Sequence, residues 1–256
     1  MNSMVKSAHE IQLMRESGQL LARVFTELDK VISLGMSTLE VNDFVESFIV
    51  ETLNARPASK GQYGYKYVLN SSVNEVICHG VPSSAKKLKN GDIVNIDITL
   101  EKNGYIADSS KMYLMGNVSP TARKLVDVTY EAMWAGIKTV KHGAMLGDIG
   151  SAIQNYAEKH GYSVVREYCG HGIGKEMHEE PQVLHFGSAN SGMQLQAGMT
   201  FTIEPMINQD SHKTKLKKDG WTVVTRDKKL SAQWEHTILV TQNGYEVLTL
   251  RPFEIQ

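Results

Sequence analysis

Four acidic residues stand inside apolar segments of the sequence, where a carboxylate needs a partner to be tolerated. They are Asp97 in DIVNIDITL, Asp108 in YIADSSKMYL, Glu204 in TFTIEPMI and Glu235 in WEHTILVT. With one histidine they form a set of oxygen ligands and one imidazole without a thiolate, which suits manganese, iron(II) or cobalt and is compatible with zinc. Four carboxylate charges balance two divalent cations, so the pattern favours a two-metal site.

The two aspartates belong to a predicted hairpin that places them on one face. Apolar and polar side chains alternate along Asp92–Leu100, which puts Asp97 on the polar face. If residues 101–104 form the loop, Leu100 pairs with Tyr105 and Asp97 lies directly opposite Asp108, with Cβ atoms about 5 Å apart. Two such carboxylates repel each other unless a cation lies between them. On this hairpin alone, a solvated hairpin with a shifted register is an equal alternative.

A glycine-rich segment with two histidines, HGIGKEMHEEP at residues 171–181, is the other candidate for chemistry. It lacks the third glycine of a dinucleotide-binding loop and the lysine-serine ending of a phosphate-binding loop. The spacing of His171 and His178 also excludes the helical zinc motif H-E-x-x-H. We therefore expect the two histidines to have different roles; taken alone, the segment also fits two hydrogen-bonded loop histidines.

Two pairs of helices are predicted to precede the strands that carry these residues. The helices begin at the capping boxes Ser7–Glu10 and Ser37–Glu40, then run from Ser119-Pro120 to about Val140 and from Asp148 to His160. The predicted strands cover Asp92–Leu100, Tyr105–Leu114, Thr200–Ile207, Trp221–Arg226, Trp234–Thr241 and Tyr245–Leu250. Helices grouped apart from strands indicate an α+β fold. Lys30 aligns with Lys138 at an offset of 108 residues, which is weak support for two related halves.

The composition narrows the classes of function. With 256 residues and 41% apolar content, the chain can bury a core as one large domain or as two halves. A net charge of -1 gives no electrostatic case for DNA binding. No segment resembles a signal peptide or a membrane span, so we expect a soluble cytoplasmic protein. Cys78 and Cys169 are too few for a zinc cluster or a disulfide framework, and we expect them to be buried apolar residues.

Six ordered motifs resemble those of the bacterial type I methionine aminopeptidases over nearly the whole chain. They are NEVICHGVP (74–82), GDIVNIDIT (91–99), ADSSKMY (107–113), VVREYCGHGIGKEMHEEPQVLH (164–185), GMTFTIEPM (198–206) and KDGWTVVTRDKKLSAQWEHTI (218–238). The resemblance implies the pita-bread fold: one catalytic domain, 1–256, whose pseudosymmetric halves, about 1–116 and 117–256, share a curved, mainly antiparallel sheet with helices on its outer side. It also implies that two divalent metals are bound by Asp97, Asp108, His171, Glu204 and Glu235.

The resemblance further implies a reaction and roles for single residues. The reaction is removal of the initiator methionine from nascent proteins when the second residue is small, through attack of a water activated by the two metals. Glu204 would be both ligand and proton shuttle, His178 would hydrogen-bond the scissile carbonyl oxygen, and His79 would hydrogen-bond the substrate backbone. A sodium or potassium ion is also implied, bound by carbonyl groups of Asn74, Val76 and Ser231.

One region departs from the family pattern, and it concerns the substrate pocket. Where the family usually reads close to Gly-Tyr-His-Gly-Tyr-Pro, residues 61–66 read GQYGYK, so Gln62 replaces an aromatic residue and Tyr63 a histidine. Bacterial relatives more often have cysteine, cysteine and an aromatic residue at the positions of Ser59, Asn70 and Met177. Tyr65 and Trp221 match the family. Because a methionine pocket relies on apolar contact with the thioether, we expect retained hydrolysis with lower efficiency or an altered first-residue preference, as in a second copy of the enzyme.

Partners follow from the same resemblance. Nascent N-termini are the implied substrates, after deformylation in a bacterial host, and by the same rule Met1 followed by Asn2 would be retained. The lysine runs Lys86–Lys89 and Lys213–Lys218 are typical of solvated loops, and their contact with ribosomal RNA near the exit tunnel is a hypothesis. We expect a monomer without a membrane partner.

Other classes of protein compete with this interpretation. A binding module that has lost its metals on the same fold is disfavoured by the intact ligand set. Relatives of proline dipeptidase or creatinase usually carry an additional N-terminal domain, for which 256 residues leave no room. Glu204 and Glu235 are 31 residues apart, which leaves no space there for the long insertion of type II methionine aminopeptidases.

Overall fold

The computed structural model describes residues 4–254, so the expected retention of Met1 before Asn2 concerns residues outside the described part. The α-helices are α1 (Ala8–Val31), α2 (Thr38–Ser47), α3 (Pro120–Ile137) and α4 (Leu146–Lys159). Both predicted capping boxes are present. The side chains of Ser7 and Ser37 accept a hydrogen bond from the backbone N–H of Glu10 and Glu40, and the carboxylate of each glutamate accepts one from the backbone N–H of the serine. Among residues 4–254, no helix is long and apolar enough to cross a membrane.

The strands are short except for one central hairpin. In the first part of the chain they are β1 (Arg56–Pro57), β2 (Leu69–Val73), β3 (Val76–Cys78), β4 (Ile93–Lys102) and β5 (Tyr105–Leu114). The later strands are β6 (Ser163–Val164), β7 (Gly170–Gly172), β8 (Glu179–Val183), β9 (Thr200–Ile203), β10 (Met206–Asn208), β11 (Thr214–Leu216), β12 (Val223–Thr225), β13 (Ser231–Gln233), β14 (His236–Val240) and β15 (Tyr245–Val247).

Helices pack on antiparallel strands in both parts of the chain. β4 lies between β2 and β5, and α1 packs across the β4–β5 hairpin over a core that includes Phe25 and Ile96. In the second part, α3 and α4 pack together and cover a core that includes Phe201 and Ile238. The five-stranded sheet of this part has the strand order β15-β14-β9-β7-β8. The predicted α+β class is therefore confirmed. The division into pseudosymmetric halves at residue 116 stays a prediction, although each half begins with a helix pair.

The predicted register of the β4–β5 hairpin is wrong by two residues. Lys102, not Leu100, pairs with Tyr105, because Asn103 and Gly104 adopt positive φ angles of 54° and 81° and close a two-residue turn. Asp97 therefore pairs with Ser110, and Asp108 pairs with Thr99. Side chains alternate between the two faces of a strand, so a register shift of two residues leaves both aspartates on the same face of the hairpin.

The predicted strand Thr200–Ile207 is interrupted at Glu204, and the predicted strand Trp234–Thr241 begins only after Glu235. β9 ends at Ile203 and β10 begins at Met206, while β13 ends at Gln233 and β14 begins at His236. These two breaks lie side by side, since β9 pairs with β14 and β10 pairs with β13. Glu204 and Glu235 thus lie between regular ladders, at neighbouring kinks.

Candidate metal centre and active site

A cavity of about 600 Å³ contains every residue for which the sequence predicts a divalent metal or a catalytic step. Its lining includes Asp97, Asp108, His171, Glu204, Glu235, His79 and His178. Ligand atoms of Asp108, His171 and Glu235 all lie within 4.8 Å of one another. Residues far apart in the chain are thus brought together by the hairpin, by β7 and by the two strand kinks.

The two aspartates are fixed from opposite sides. Asn70 on β2 donates through Nδ2 to Asp97 Oδ2 at 3.2 Å. The main chain of Asp108 is bound to Thr237 on β14, because its N–H donates to Thr237 Oγ1 at 3.0 Å and its carbonyl accepts from the same hydroxyl at 2.7 Å. Asp108 Oδ1 is buried without a hydrogen-bond partner among the described residues, which is costly for a carboxylate.

His171 presents one free nitrogen to the carboxylates. Its Nδ1 lies 3.0 Å from the carbonyl of Gly172, and burial, with the neighbouring His178, lowers the pKa of His171 to about 4. The ring is therefore neutral, with the proton on Nδ1 donated to that carbonyl. Nε2 lies 3.5 Å from Glu204 Oε1 and 3.9 Å from Asp108 Oδ2. A neutral histidine whose other nitrogen is held by a carbonyl is the usual form of a metal ligand.

Glu204 is oriented by polar side chains from three directions. Thr202 donates through its hydroxyl to Oε1 at 2.8 Å, and Gln233 donates through Nε2 to Oε2 at 3.3 Å. The backbone N–H of Glu204 donates to His185 Nε2 at 3.1 Å. The same Thr202 hydroxyl accepts from the N–H of His171 at 3.0 Å, so the orientations of Glu204 and His171 are coupled.

The electrostatics of the carboxylate cluster favour bound cations. Burial raises the pKa of Asp97 to about 6 and that of Glu204 to about 8. Burial, followed by repulsion from the neighbouring carboxylates, raises the pKa values of Asp108 and Glu235 well above their usual range. Divalent cations would reverse this effect by stabilising the ionised carboxylates. The unpartnered Asp108 oxygen and the neutral His171 therefore fit divalent metal ions. The other residues of the cluster supply carboxylate oxygens, which suit the same ions.

Two further histidines line the same cavity. His178 is exposed at the mouth, with its ring centroid 4.4 Å from that of His171. His79 follows β3 with a φ angle of 55°, and its ring packs edge-on against Tyr168 at 5.6 Å. Burial lowers the pKa of His79, so its ring is a neutral hydrogen-bond donor at neutral pH.

The predicted substrate-pocket residues also line this cavity. Tyr65 is buried, donates through its hydroxyl to the Leu69 carbonyl at 2.9 Å, and packs its ring 4.9 Å from that of Trp221. Tyr63 is 79% exposed at the mouth, with its ring 6.4 Å from that of His178. The remaining wall is formed in part by Ser59, Gln62, Asn70 and Met177. The structure thus brings these residues together, while their roles in selecting a substrate stay a prediction.

The three residues implied for a monovalent cation lie behind this cavity. The N–H of Ser231 donates to the carbonyl of Asn74 at 2.9 Å, and Asn74 has a φ angle of 57° that turns the chain into β3. Val76, on β3, pairs with Val224. Asn74 and Ser231 are thus in direct contact, and the binding of a cation there stays a prediction.

Several functional neighbours were not found from the sequence. Thr202 and Gln233 each stand two residues before a predicted ligand, and the period of two in strands could have placed them on the same face. No comparable sequence pattern indicated that His185 contacts Glu204. Cys78 is buried as expected, whereas Cys169 is only half-buried, and both thiols line the cavity.

Comparison with known proteins agrees with this geometry. Residues 12–242 match Metallopeptidase family M24. Over 96% of its length the chain is 50% identical to methionine aminopeptidase of Salmonella typhimurium and 47% identical to that of Escherichia coli K12, covering 94% of each. It superposes on the crystal structure of methionine aminopeptidase from Rickettsia prowazekii with a TM-score of 0.94 at 47% identity, over 96% of this chain and 99% of that one.

The chain therefore belongs to metallopeptidase family M24. A prolidase from Pyrococcus horikoshii shares the fold, with a TM-score of 0.77, but it is 23% identical and only 64% of its chain is covered. The full-length matches at about half identity are to methionine aminopeptidases. Within the family, the chain belongs with the bacterial methionine aminopeptidases, and the pita-bread fold is confirmed.

Proposed function

We propose that the protein removes the N-terminal methionine from newly made polypeptides whose second residue is small. The observation that carries this proposal is that Asp97, Asp108, Glu204 and Glu235 line one cavity of about 600 Å³ together with the neutral His171. The relatives at about half identity bear the name of this activity. The intact cluster disfavours the alternative of a metal-free binding module.

The five clustered residues would hold two divalent metal ions, for which manganese, iron(II) and cobalt are the best candidates and zinc a further one. When bound, such ions supply Lewis-acid activation of a water and of the scissile carbonyl group. Glu204, held by Thr202 and Gln233, would move the proton from the attacking water to the leaving amine.

His178 and His79 bind the substrate rather than a metal in this proposal. His178 stands at the mouth beside His171, where its N–H would donate to the scissile carbonyl oxygen as negative charge develops there. His79 is held by Tyr168 and would hydrogen-bond the substrate backbone. Together they fix the peptide relative to the ligand cluster.

A second candidate, an aminopeptidase with a weakened or altered first-residue preference, is supported by the polar wall of the pocket. Ser59 Oγ lies 2.5 Å from Thr99 Oγ1, and the Asn70 amide is bound to Asp97. Both pairs add polar groups to the cavity wall, whereas apolar contact would favour a thioether. We therefore propose lower efficiency on methionine, with relative tolerance of leucine or norleucine.

Further parts of the proposal concern the cellular setting. The proposed activity on nascent chains and the two free cysteines support a cytoplasmic location. The β11–β12 hairpin exposes Lys213, Lys215, Lys217 and Lys218, a basic run that supports contact with ribosomal RNA. A sodium or potassium ion at Asn74, Val76 and Ser231 would stabilise the connection between β3 and β13. Cosedimentation with ribosomes that does not weaken as salt is raised would contradict the RNA contact.

The test is residue release from peptides Xaa-Ala-Ser, measured by mass spectrometry with metal-reconstituted protein. We expect release of methionine from Met-Ala-Ser that stops when the metal is chelated, and weaker release from the comparison peptide Met-Leu-Ser. The matched control is His171→Ala, which removes one proposed ligand. Efficient release of methionine alone would support the first candidate, slow or broadened release the second, and no release would contradict both.

A further inference from the structure

We propose that Arg251, in the C-terminal segment 249–254, is a positioning residue of the metal centre. Its guanidinium Nη1 donates to the Ser110 carbonyl at 3.0 Å and to Ser109 Oγ at 3.2 Å. The Ser109 hydroxyl in turn donates to the main-chain carbonyl of Glu235 at 2.7 Å. The inference rests on the proposed function, because it concerns how two of the proposed metal ligands are held.

The guanidinium itself is fixed by a fully buried partner. Arg251 is 1% exposed and Glu254 5% exposed. Glu254 accepts from Arg251 Nε at 2.8 Å and from Nη2 at 2.9 Å, and its Oε2 also accepts from the backbone N–H of Arg251 at 3.0 Å. The rings of Phe25 and Trp234 lie 5.3 Å and 5.4 Å from the guanidinium carbon. One conformation of the side chain is thus defined by hydrogen bonds and by packing.

The same segment holds the strand on the other side of the ligands. His236, directly after Glu235, has Nε2 3.3 Å from Glu254 Oε1 and Nδ1 2.9 Å from Thr249 Oγ1. Thr249 Oγ1 also accepts from the N–H of Thr237, and Thr237 is the residue whose hydroxyl is bound to the main chain of Asp108.

These bonds form one continuous polar layer behind the wall that carries Asp108 and Glu235. It runs from β5 through Ser109 and Arg251 to Glu254, and from there through His236 to Thr249 and β14. Removing an arginine and a glutamate from water is costly, and a well-packed apolar replacement is often at least as stable. We infer that the layer is kept because it fixes the separation of two mutually repelling carboxylates.

A matched control is available elsewhere in the chain. Arg15 on α1 makes a similar forked pair with Glu246 on β15, at 2.7 Å and 2.8 Å, but it has no contact with the ligand cluster. Arg15→Met therefore removes a forked arginine–glutamate pair, at a more exposed position than that of Arg251, without affecting the proposed layer. Ser109→Ala is a milder variant of the layer itself, since it removes one hydroxyl between Arg251 and Glu235.

The experiment measures the affinity for Mn²⁺ by calorimetry and the visible absorption spectrum of the Co²⁺-loaded protein, after circular dichroism has shown that each variant is folded. We expect Arg251→Met to weaken Mn²⁺ binding about tenfold or more and to change the Co²⁺ spectrum, because residues that orient metal ligands have effects of this size. Ser109→Ala is expected to weaken binding about threefold, and Arg15→Met by less than twofold.

The outcomes separate this inference from the proposed function. If Arg251→Met is folded and both readouts equal those of the wild type, Arg251 is only structural and the inference is overturned. If Arg251→Met does not fold, Ser109→Ala decides, and an unchanged affinity and spectrum in that variant overturns the inference. If the wild type itself binds no Mn²⁺, the proposed metal site fails first and this inference with it.

Discussion

Asp97 and Asp108 lie diagonally across the β4–β5 hairpin, since Asp97 pairs with Ser110 and Asp108 with Thr99. Diagonal neighbours on one face have backbones about 7–8 Å apart, compared with about 5 Å for directly opposed residues. The two side chains can therefore converge on a space between them. This arrangement leaves more room for cations than the directly opposed pair that the sequence suggested.

Metal-free protein is predicted to lose stability between pH 7 and pH 8.5. The pKa of Glu204 is raised to about 8, so in this range the native state binds more protons than the unfolded state. The free energy of unfolding therefore falls as the pH rises, by about 1 kcal/mol or more. Histidines with lowered pKa values, such as His171, act in the opposite direction, but only below about pH 6.5. Urea unfolding in the presence of a chelator measures the effect.

The control for the pH effect uses a variant and a metal. Glu204→Gln removes the titrating group, so the fall between pH 7 and pH 8.5 is expected to shrink. Loading with Mn²⁺ is expected to abolish the fall, since the cations stabilise the ionised carboxylates. A metal-free protein that is equally stable at both pH values would contradict the raised pKa of Glu204.

His178→Ala is predicted to lower kcat by about 10²–10³ without changing the affinity for metal. The reason is that His178 donates to charge that develops in the transition state, while His171 remains the metal ligand. Peptide kinetics and calorimetry on the same preparation separate the two effects. His9→Ala, at an exposed position on α1, is the control and should have wild-type kinetics. A near-normal kcat in His178→Ala would refute its role.

Asn70→Cys is predicted to raise kcat/KM for methionine peptides by about threefold or more. The change replaces an amide in the cavity wall with a polarizable, less polar group, and differences of this kind in a pocket are worth about 1–3 kcal/mol. The measurement compares Met-, norleucine- and Leu-Ala-Ser. Asn155→Cys on the exposed face of α4 controls for the added thiol. A kcat/KM for the methionine peptide that does not rise relative to those for the other two peptides would show that Asn70 does not set the preference.

Gly172→Ala is predicted to destabilise the protein by about 2 kcal/mol or more and to weaken metal binding. A Cβ at Gly172 would lie 2.1 Å from the carbonyl oxygen of Glu180, so β7 and β8 must separate and His171 must move. The control is Gly244→Ala, because a Cβ there meets no atom within 4 Å. The prediction would be contradicted if the two variants had the same stability in chemical unfolding and the same metal affinity in calorimetry.

The sequence predicts the long elements well, and it singles out four acidic residues that the structure brings into one cavity, because both depend on local patterns. α1, α2 and the strand Tyr105–Leu114 follow from capping residues and alternation, and the acidic residues were recognisable as carboxylates in apolar strands. The hairpin register was missed because Asn103-Gly104 is a strong two-residue turn, which extends β4 by two residues.

Other features depend on contacts between distant parts of the chain. The strands β7 and β8 are short and glycine- or glutamate-rich, so their pairing is set by neighbouring strands rather than by propensity. The polar layer was not predictable either. RPFE at residues 251–254 follows the last predicted strand and has no periodic pattern, yet Arg251 and Glu254 are buried because they pair with each other and Arg251 also donates to the Ser110 carbonyl on β5.

The most direct measurement follows methionine release from Met-Ala-Ser while Mn²⁺ is titrated into metal-free protein. We predict no release without metal, release that saturates at about two equivalents of Mn²⁺ per chain, and no release at any metal concentration with Asp108→Asn. Release that is unaffected by chelation, or that is equally fast in Asp108→Asn, would contradict the proposal that these carboxylates hold the catalytic metals.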